Sequence, residues 1–557
     1  MDFYATVDLG ARRVVDARAS AAAFRGYEVV LRGRDPLDAM DLSSRACGVC
    51  GGVHSSTSSM ALDMALPVSP PPLGILTRNI AQAAEFFYDH MLHMCLLAGP
   101  DYSEAVVRKT DRRLWSAAET TKAPGREVHR FETIGDLMRA LNPLEGELYL
   151  ATFARARVPM HIVRTMVGSY PHPSTLVPGG ISVLMDEQKL RSVEADLHAM
   201  VDWIKLLIHV YDDLMHFFRQ QRPEYDRVGE RRANLICFGR YDDVDLYDGQ
   251  FATMDQWAGA RAISPGVIID GELRTTQLSA INLGIEEFVD HAFYEKWAGD
   301  LMPADPAGNP LSPFHPWNKE TIPKPEGQNW QERYTWATAP RWDREVVEAG
   351  PIARNWMIAI GGKSWGSVMQ PSGDGFDFVL PPGESLPEAT FHWRRPSTVN
   401  AIERNLARAY SLGITWLQCM RDTQHGITLL RRGERKVWNR SVVPERGIGV
   451  GFWEAARGAL AHWITIEGRV VKNYQIVTPS SFNASPRDPW GVPGPYEEAA
   501  LATPILEDIS GDEAIRGIDV MRAIRSFDPC MPCAVHMYDG VRTITRDVTS
   551  CACSADE

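Results

Sequence analysis

Long apolar runs are missing from this chain of 557 residues. Every apolar stretch meets a charge or a proline well short of the roughly 20 residues a membrane-spanning helix needs. Runs of Lys or Arg are missing as well, and acidic residues outnumber basic ones, 71 to 58, for a formal net charge of −13. That balance excludes a general nucleic-acid binder. Cysteine is scarce, nine in all, too few for a disulfide scaffold in a chain this long. No internal repeat, low-complexity tract or clean linker divides the sequence, so one large unit is expected rather than several domains. The opening stretch MDFYATVDLGARRVV has strand-like alternation and lacks the apolar core of a signal peptide. The chain is therefore expected to be cytoplasmic or membrane-associated, exported only if a partner carries it.

What is present is helical periodicity over a hydrophobic content of 45%. After a short strand pair, FYATVDLG and RRVVDARAS, long helices are predicted over about 74–99, 186–221 and 398–427. Helices of this length with apolar stripes predict a central bundle shared by distant parts of the chain. Between about 225 and 395, Pro, Gly and Trp become frequent, which reads as loops and short strands wrapping that bundle. The fold class expected is α+β, predominantly helical, with small peripheral sheets.

The cysteines are more telling by placement than by number. Cys95, Cys237 and Cys419 stand alone in apolar segments and read as buried small hydrophobes. Cys47 and Cys50 form a Cys-x-x-Cys in SSRACGVCGGVH, with His54 four places on; Cys530 and Cys533 form a second in RSFDPCMPCAVH, with His536 three places on. One such pair fits a structural zinc, a disulfide shuttle or a redox metal equally well. Four thiolates would satisfy zinc, yet structural zinc typically serves small domains that lack a core. Soft ligands joining the two ends of a large fold favour a buried, redox-active transition metal.

The segment FRGYEVVLRGRDPLDAMDLSSRACGVCGGVH resembles the N-terminal signature of the nickel–iron hydrogenase large subunit, and GIDVMRAIRSFDPCMPCAVH resembles its C-terminal signature. YPHPSTLVPGG, APRWDREVVEAGPIAR, EAARGALAHWITIEGRVVKNYQ and SSFNASPRD resemble further blocks of that family in the family's order, so the resemblance spans nearly the whole chain. It implies a single catalytic domain over 1–536. It also implies a nickel–iron centre whose iron carries carbon monoxide and cyanide, with Cys47 and Cys530 as terminal nickel ligands and Cys50 and Cys533 as bridges. Cys530 is the terminal thiolate expected to accept a proton when H2 is split. His54 is expected to donate toward a cysteine sulfur and tune its basicity.

The same resemblance suspends Arg457 over the iron, from what reads as a loop–helix junction, with Ala456 where the family usually has proline. Asp89 and Asp528 are expected to flank that guanidinium, since a buried arginine needs paired acceptors. Asp89 shares a helix face with His93, and Tyr88 replaces the family's first histidine there. Ser480 is expected to donate to a cyanide. Glu28, the backbone carbonyl of Ile476 and His536 resemble the ligands of a magnesium ion near the C-terminus. Residues 537–557, polar and without a helical stripe, resemble an extension that a maturation endopeptidase removes after nickel-insertion factors have acted.

A family segment resembling DPxTRIEGH has no counterpart here, and the position near Thr6 offers no carboxylate. The start is expected to lie some residues further upstream; the other reading is proton exit by another route, through Glu28 or Asp2. The chain has no further cysteine cluster for an electron relay, so an iron–sulfur small subunit is the expected partner. H2 is the substrate, uptake the expected direction, and an assembly of several heterodimers is compatible with this reading. Two alternatives compete: a structural four-cysteine metal protein without turnover, and a scaffold like the quinone-module subunit of respiratory complex I, in which such cysteines are lost.

Overall fold

Four long helices run through the interior in a computed structural model of the chain: α1 (Gly51–Ala65), α2 (Pro72–Leu92), α3 (Glu187–Gln221) and α4 (Ala401–Arg431). The structure describes residues 2–295, 302–327, 332–508 and 515–529, with the backbone alone of 533–538 and 543–548. α3 and α4 begin where the sequence supplies caps. The Asp186 side chain accepts from the Lys189 N–H at 2.8 Å, and that of Asn400 from the Glu403 N–H at 3.0 Å. α2 and α3 both pack on α4. α1 is buried on every side, as expected of a helix at the centre of a large protein. Among the described residues, no helix is long and apolar enough to cross a membrane.

The predicted helix over 74–99 is two elements. α2 ends at Leu92, and a single wide π turn, His93–Leu97, follows. Such turns are frequent at functional sites, and this one begins at a histidine that faces the site described below.

A three-stranded antiparallel sheet, β3 (Arg446–Ala455), β4 (Gly458–Glu467) and β5 (Val470–Val477), lies directly on α1. The contact is backbone to backbone. A Cβ at Gly449 would stand 2.0 Å from the Ala61 carbonyl oxygen, and one at Gly451 would stand 2.0 Å from that of Thr57. The GIGVG alternation thus presents a bare strip on one face of β3, against which the cysteine-bearing helix rests.

The two ends of the chain share one sheet. β1 (Asp2–Asp8) pairs with β2 (Arg13–Ser20) on one side, and on the other runs parallel to β6 (Cys533–Tyr538), with Tyr4 opposite His536. β7 (Thr543–Val548) returns antiparallel to β6. The extension after His536, for which the sequence predicts no regular element, therefore continues the sheet as a hairpin. Its alternation is too polar to announce a strand, and the pairing partner lies at the other end of the chain. The region 225–395 contains the expected short strands and loops, together with a helix, Pro351–Gly361. Cys95, Cys237 and Cys419 are fully buried and unpaired, as expected.

Candidate active site

The first cysteine segment enters the site as the turn that starts α1. Cys50 is the N-cap residue. The backbone N–H groups of Cys50 and Val49 donate to the Cys47 sulfur at 3.1 and 3.4 Å. Both thiols are buried. Amide donors and a helix N-terminus favour negative charge on sulfur, the form that binds a metal. Among the described residues, no group of three or more His, Cys, Asp or Glu could hold a metal ion. Further ligands would come from the second cysteine segment. Cys530 lies outside the described residues, and Cys533 opens β6, of which the backbone alone is described.

The approach of that segment is nonetheless fixed by what precedes it. Arg408 of α4 donates through both terminal nitrogens to the Ser526 carbonyl, at 3.2 and 3.1 Å. Asp528 then adopts a left-handed backbone, φ 62°, immediately before Pro529. Aspartate is one of the few side chains that tolerate that conformation. The turn delivers the Asp528 carboxylate to 3.2 Å from Arg457 and 3.2 Å from His93.

Arg457 stands in the two-residue turn between β3 and β4, not at the predicted loop–helix junction. The alternation of EAARGALAHW is a strand signal that the charged tip obscures. The turn is held from behind by Arg354. Its guanidinium donates to the carbonyls of Ala455 and Ala456 at 3.0 and 2.9 Å and pairs with Glu454 at 3.0 Å. Gly458 has φ 123°, and a Cβ there would meet Gly350 N at 2.5 Å, so only glycine fits.

The predicted clamp is present: Asp89 of α2 lies 3.2 Å from Arg457, on the same guanidinium as Asp528. All three are buried. Their electrostatics diverge. Burial raises both carboxyls. For Asp528, the charges of Arg457, His93 and Arg408 outweigh burial and hold it well below the usual carboxylate range. For Asp89, burial prevails over Arg457, and the neighbouring Asp528 charge adds to it, so its carboxyl is pushed up to about 7. His93 is pushed down to about 4, by burial first and then by Arg408.

His54, on the first turn of α1, is buried and linked through Nδ1 to His462 Nε2 at 3.1 Å. His462 Nδ1 meets the Tyr474 hydroxyl at 2.7 Å, and that hydroxyl reaches Ser58 Oγ at 2.7 Å. This line of hydrogen bonds orients the His54 ring. Burial pushes His54 down to about 4, partly offset by Cys47, and pushes His462 well below its ordinary value. Both rings are neutral at pH 7. His462 escapes sequence reading because its partner is far away in the chain, although it lies in the same block as Arg457.

Ser480 sits in the first turn of the helix Pro479–Asn483. The neighbouring Ser481 closes that helix's capping box with Thr478, so Ser481 takes the structural role. Glu28 and Ile476 are neighbours, but through the Ile476 N–H rather than its carbonyl: that N–H donates to Glu28 Oε1 at 3.0 Å, and the Thr321 hydroxyl bonds Oε2. The His536 side chain lies outside the described residues.

Two buried thiols at a helix N-terminus, walled by an arginine between two carboxylates and a neutral histidine, fit a soft-ligand metal centre held away from water. They point to a class: a redox metalloprotein with soft ligands at a buried helix start. The nickel-dependent hydrogenase family model matches residues 25–143 and 133–536. The chain belongs to that family. It is 29% identical over 531 residues to the periplasmic [NiFeSe] hydrogenase large subunit of Desulfomicrobium baculatum, with 94% of this chain and 90% of that one aligned. It is 27% identical to the uptake hydrogenase large subunit of Rhodobacter capsulatus, covering 94% and 91%. Its fold matches the actinobacterial-type NiFe-hydrogenase of Ralstonia eutropha H16 with a TM-score of 0.93, at 37% identity over 95% of this chain and 96% of that one.

Proposed function

We propose that Cys47, Cys50, Cys530 and Cys533 hold the nickel–iron centre at which this hydrogenase large subunit cleaves H2 to protons and electrons, in the uptake direction. The observation that carries this reading is the burial of Cys47 and Cys50 at the start of α1, while Asp528, two residues before Cys530, reaches the Arg457 wall of the same site. When bound, the centre supplies the redox capacity for H2 ⇌ 2 H+ + 2 e− and, as in the family, carries carbon monoxide and cyanide on its iron.

The chain's own groups do the rest. The amides of Val49 and Cys50 hold the Cys47 sulfur, and His54, oriented by His462 and Tyr474, fixes the polarity beside it. Arg457 offers N–H donors toward the cyanide and H2 side, and Ser480 offers a hydroxyl to the other cyanide. Cys530 is the sulfur that takes the proton. Glu28, the Ile476 carbonyl and His536 supply a carboxylate, a carbonyl and an imidazole for a magnesium ion. Electrons leave through an iron–sulfur small subunit, with the YPHPST loop and the first cysteine segment on the contact face. Residues 537–557 are removed by a maturation endopeptidase after nickel-insertion factors have loaded the site. The mature protein is cytoplasmic or membrane-associated.

Metal analysis and infrared spectroscopy of the purified, processed heterodimer test this reading. Nickel and iron near one each in the large subunit, with bands from iron-bound carbon monoxide and cyanide, are expected. Zinc alone without those bands would favour the structural metal protein, and a metal-free chain the scaffold.

A further inference from the structure

Glu85 is a buried acid that no motif singles out. It lies on α2 one turn before Asp89, and its side chain crosses to the N-terminus of α1. There the Gly52 N–H donates to Oε1 at 2.9 Å, and the Val53 N–H also bonds the carboxyl. α1 receives no side-chain cap from its own N-cap residue, Cys50, so its first amides are satisfied by an acid from another helix. The Gly52 amide uses Oε1. Oε2 is fully buried and has no partner among the described residues.

The packing brings that oxygen close on purpose-built terms. A Cβ on Gly52 would stand 3.0 Å from Oε2, and one on Gly51 would stand 2.6 Å from both His172 Nδ1 and the Pro171 carbonyl oxygen. Two glycines therefore let the acid and the YPHP loop close on the cysteine turn from both sides. Burial, then the Asp89 charge, push the Glu85 carboxyl well above its ordinary range against its two amide bonds; the Cys47 charge acts in the same direction. Burial of this kind favours the protonated carboxyl over the carboxylate.

A way out adjoins it. The Tyr170 hydroxyl donates to the Val49 carbonyl, between the two cysteines, at 3.1 Å. The Tyr170 ring packs edge-to-face on Tyr88 at 4.9 Å, and both tyrosines reach the surface. Tyr170 and Glu85 thus bond the same cysteine turn, at Val49 and at Gly52.

We propose that Glu85 is the proton-carrying group of this chain, passing protons between the cysteine site and the Tyr88–Tyr170 rim. In the uptake direction the Glu85 O–H bond breaks first, giving its proton to water at the tyrosine rim and leaving a carboxylate. An S–H bond at the site then breaks and an O–H bond forms on Glu85 Oε2, leaving a thiolate and returning Glu85 to its protonated starting state. No electrons move in either step. The inference rests on the hydrogenase reading above.

Glu85→Gln keeps an oxygen to accept from Gly52 and removes the exchangeable proton; Glu85→Asp keeps the acid on a shorter arm. In nickel-free large subunit, wild type is expected to show a carboxylic C=O infrared band at neutral pH that shifts in D2O and is lost in Glu85→Gln. In the assembled, nickel-loaded heterodimer, Glu85→Gln is expected to lower D2/H+ exchange about tenfold or more at unchanged nickel content, with an enlarged solvent isotope effect and partial recovery in Glu85→Asp. Full exchange in Glu85→Gln, or no band in the nickel-free wild type, would reduce Glu85 to a helix cap and overturn the proposal. Should Glu85→Gln fail to assemble, Tyr170→Phe decides: exchange lowered severalfold supports the route, and unchanged exchange overturns it. A wild-type heterodimer without nickel or exchange would instead sink the hydrogenase reading itself.

Discussion

Asp89 and Asp528 each stand 3.2 Å from Arg457, yet their proton affinities lie on opposite sides of the ordinary carboxylate range. The difference comes from their other neighbours. Asp528 also faces His93 and Arg408, whereas Asp89 faces Arg457 alone against burial and a second negative charge. Pairs of acids driven apart in this way divide labour: one keeps a fixed charge and the other can hold a proton.

Asp528→Asn keeps the left-handed turn, which asparagine also tolerates, and removes the charge that Arg457 and Arg408 share. Breaking a buried ion pair from one side costs about 3–5 kcal/mol. A fall in the chemical denaturation midpoint is expected, with H2-dependent dye reduction lowered by at least about two orders of magnitude. A variant with wild-type activity would remove Asp528 from the clamp.

The brace behind the turn makes a separate claim. Arg354→Met preserves bulk but releases the Ala455 and Ala456 carbonyls and leaves Glu454 buried without its cation. Loss of stability on the order of 3–5 kcal/mol is expected. Activity should fall at unchanged Cys47 accessibility to thiol reagents in the nickel-free protein, because the turn moves and the cysteine helix does not. Loss of Cys47 protection would show that the brace supports the cysteine turn as well.

Gly451→Ala tests the bare strip under α1. The added methyl would stand 2.0 Å from the Thr57 carbonyl oxygen, an overpacking that costs about 1–3 kcal/mol or more. Since α1 carries Cys50 at its start, nickel content per folded protein should fall too. Ala substituted at Gly433, where nothing lies within 4 Å but φ is 90°, should cost only backbone strain and spare nickel content.

Glu497 gives a pH dependence away from the site. It is buried and accepts from the Ala19 N–H at 3.1 Å and the Tyr334 hydroxyl at 2.9 Å. Burial is the main cause that pushes its carboxyl up to about 7. A folded-state value above the unfolded one means that its contribution is fully present below about pH 4.5 and is lost as pH rises through about 7. Glu497→Gln keeps an acceptor and does not titrate. The stability difference, wild type minus variant, is therefore expected to fall by on the order of 3 kcal/mol between those values. A difference flat with pH in paired denaturation curves would refute this.

Much of the site is written in local order. Cys47 and Cys50 with His54, Asp89 four places from His93, and Asp528 ahead of the second cysteine pair are readable because each group lies within a turn of its motif neighbours. The long helices at 186–221 and 398–427 are equally plain, since period and caps agree over many residues. The π turn at His93 is not, because a helix pattern continues through it unbroken and the widening is set by packing.

What the sequence by itself determined is the set of groups on offer: four thiols in two spaced pairs, an arginine, and the acids to balance it. Tertiary structure alone decided that Arg457 rides a strand turn braced by Arg354, that His54 answers to His462 and Tyr474, that the tail after His536 joins the first strand, and that Glu85 caps the cysteine helix. Each of these is a pairing between residues far apart in the chain. No local period encodes such a pairing, and burial turns it from an incidental contact into an obligatory one, because a polar group removed from water must find its partner wherever the fold brings one.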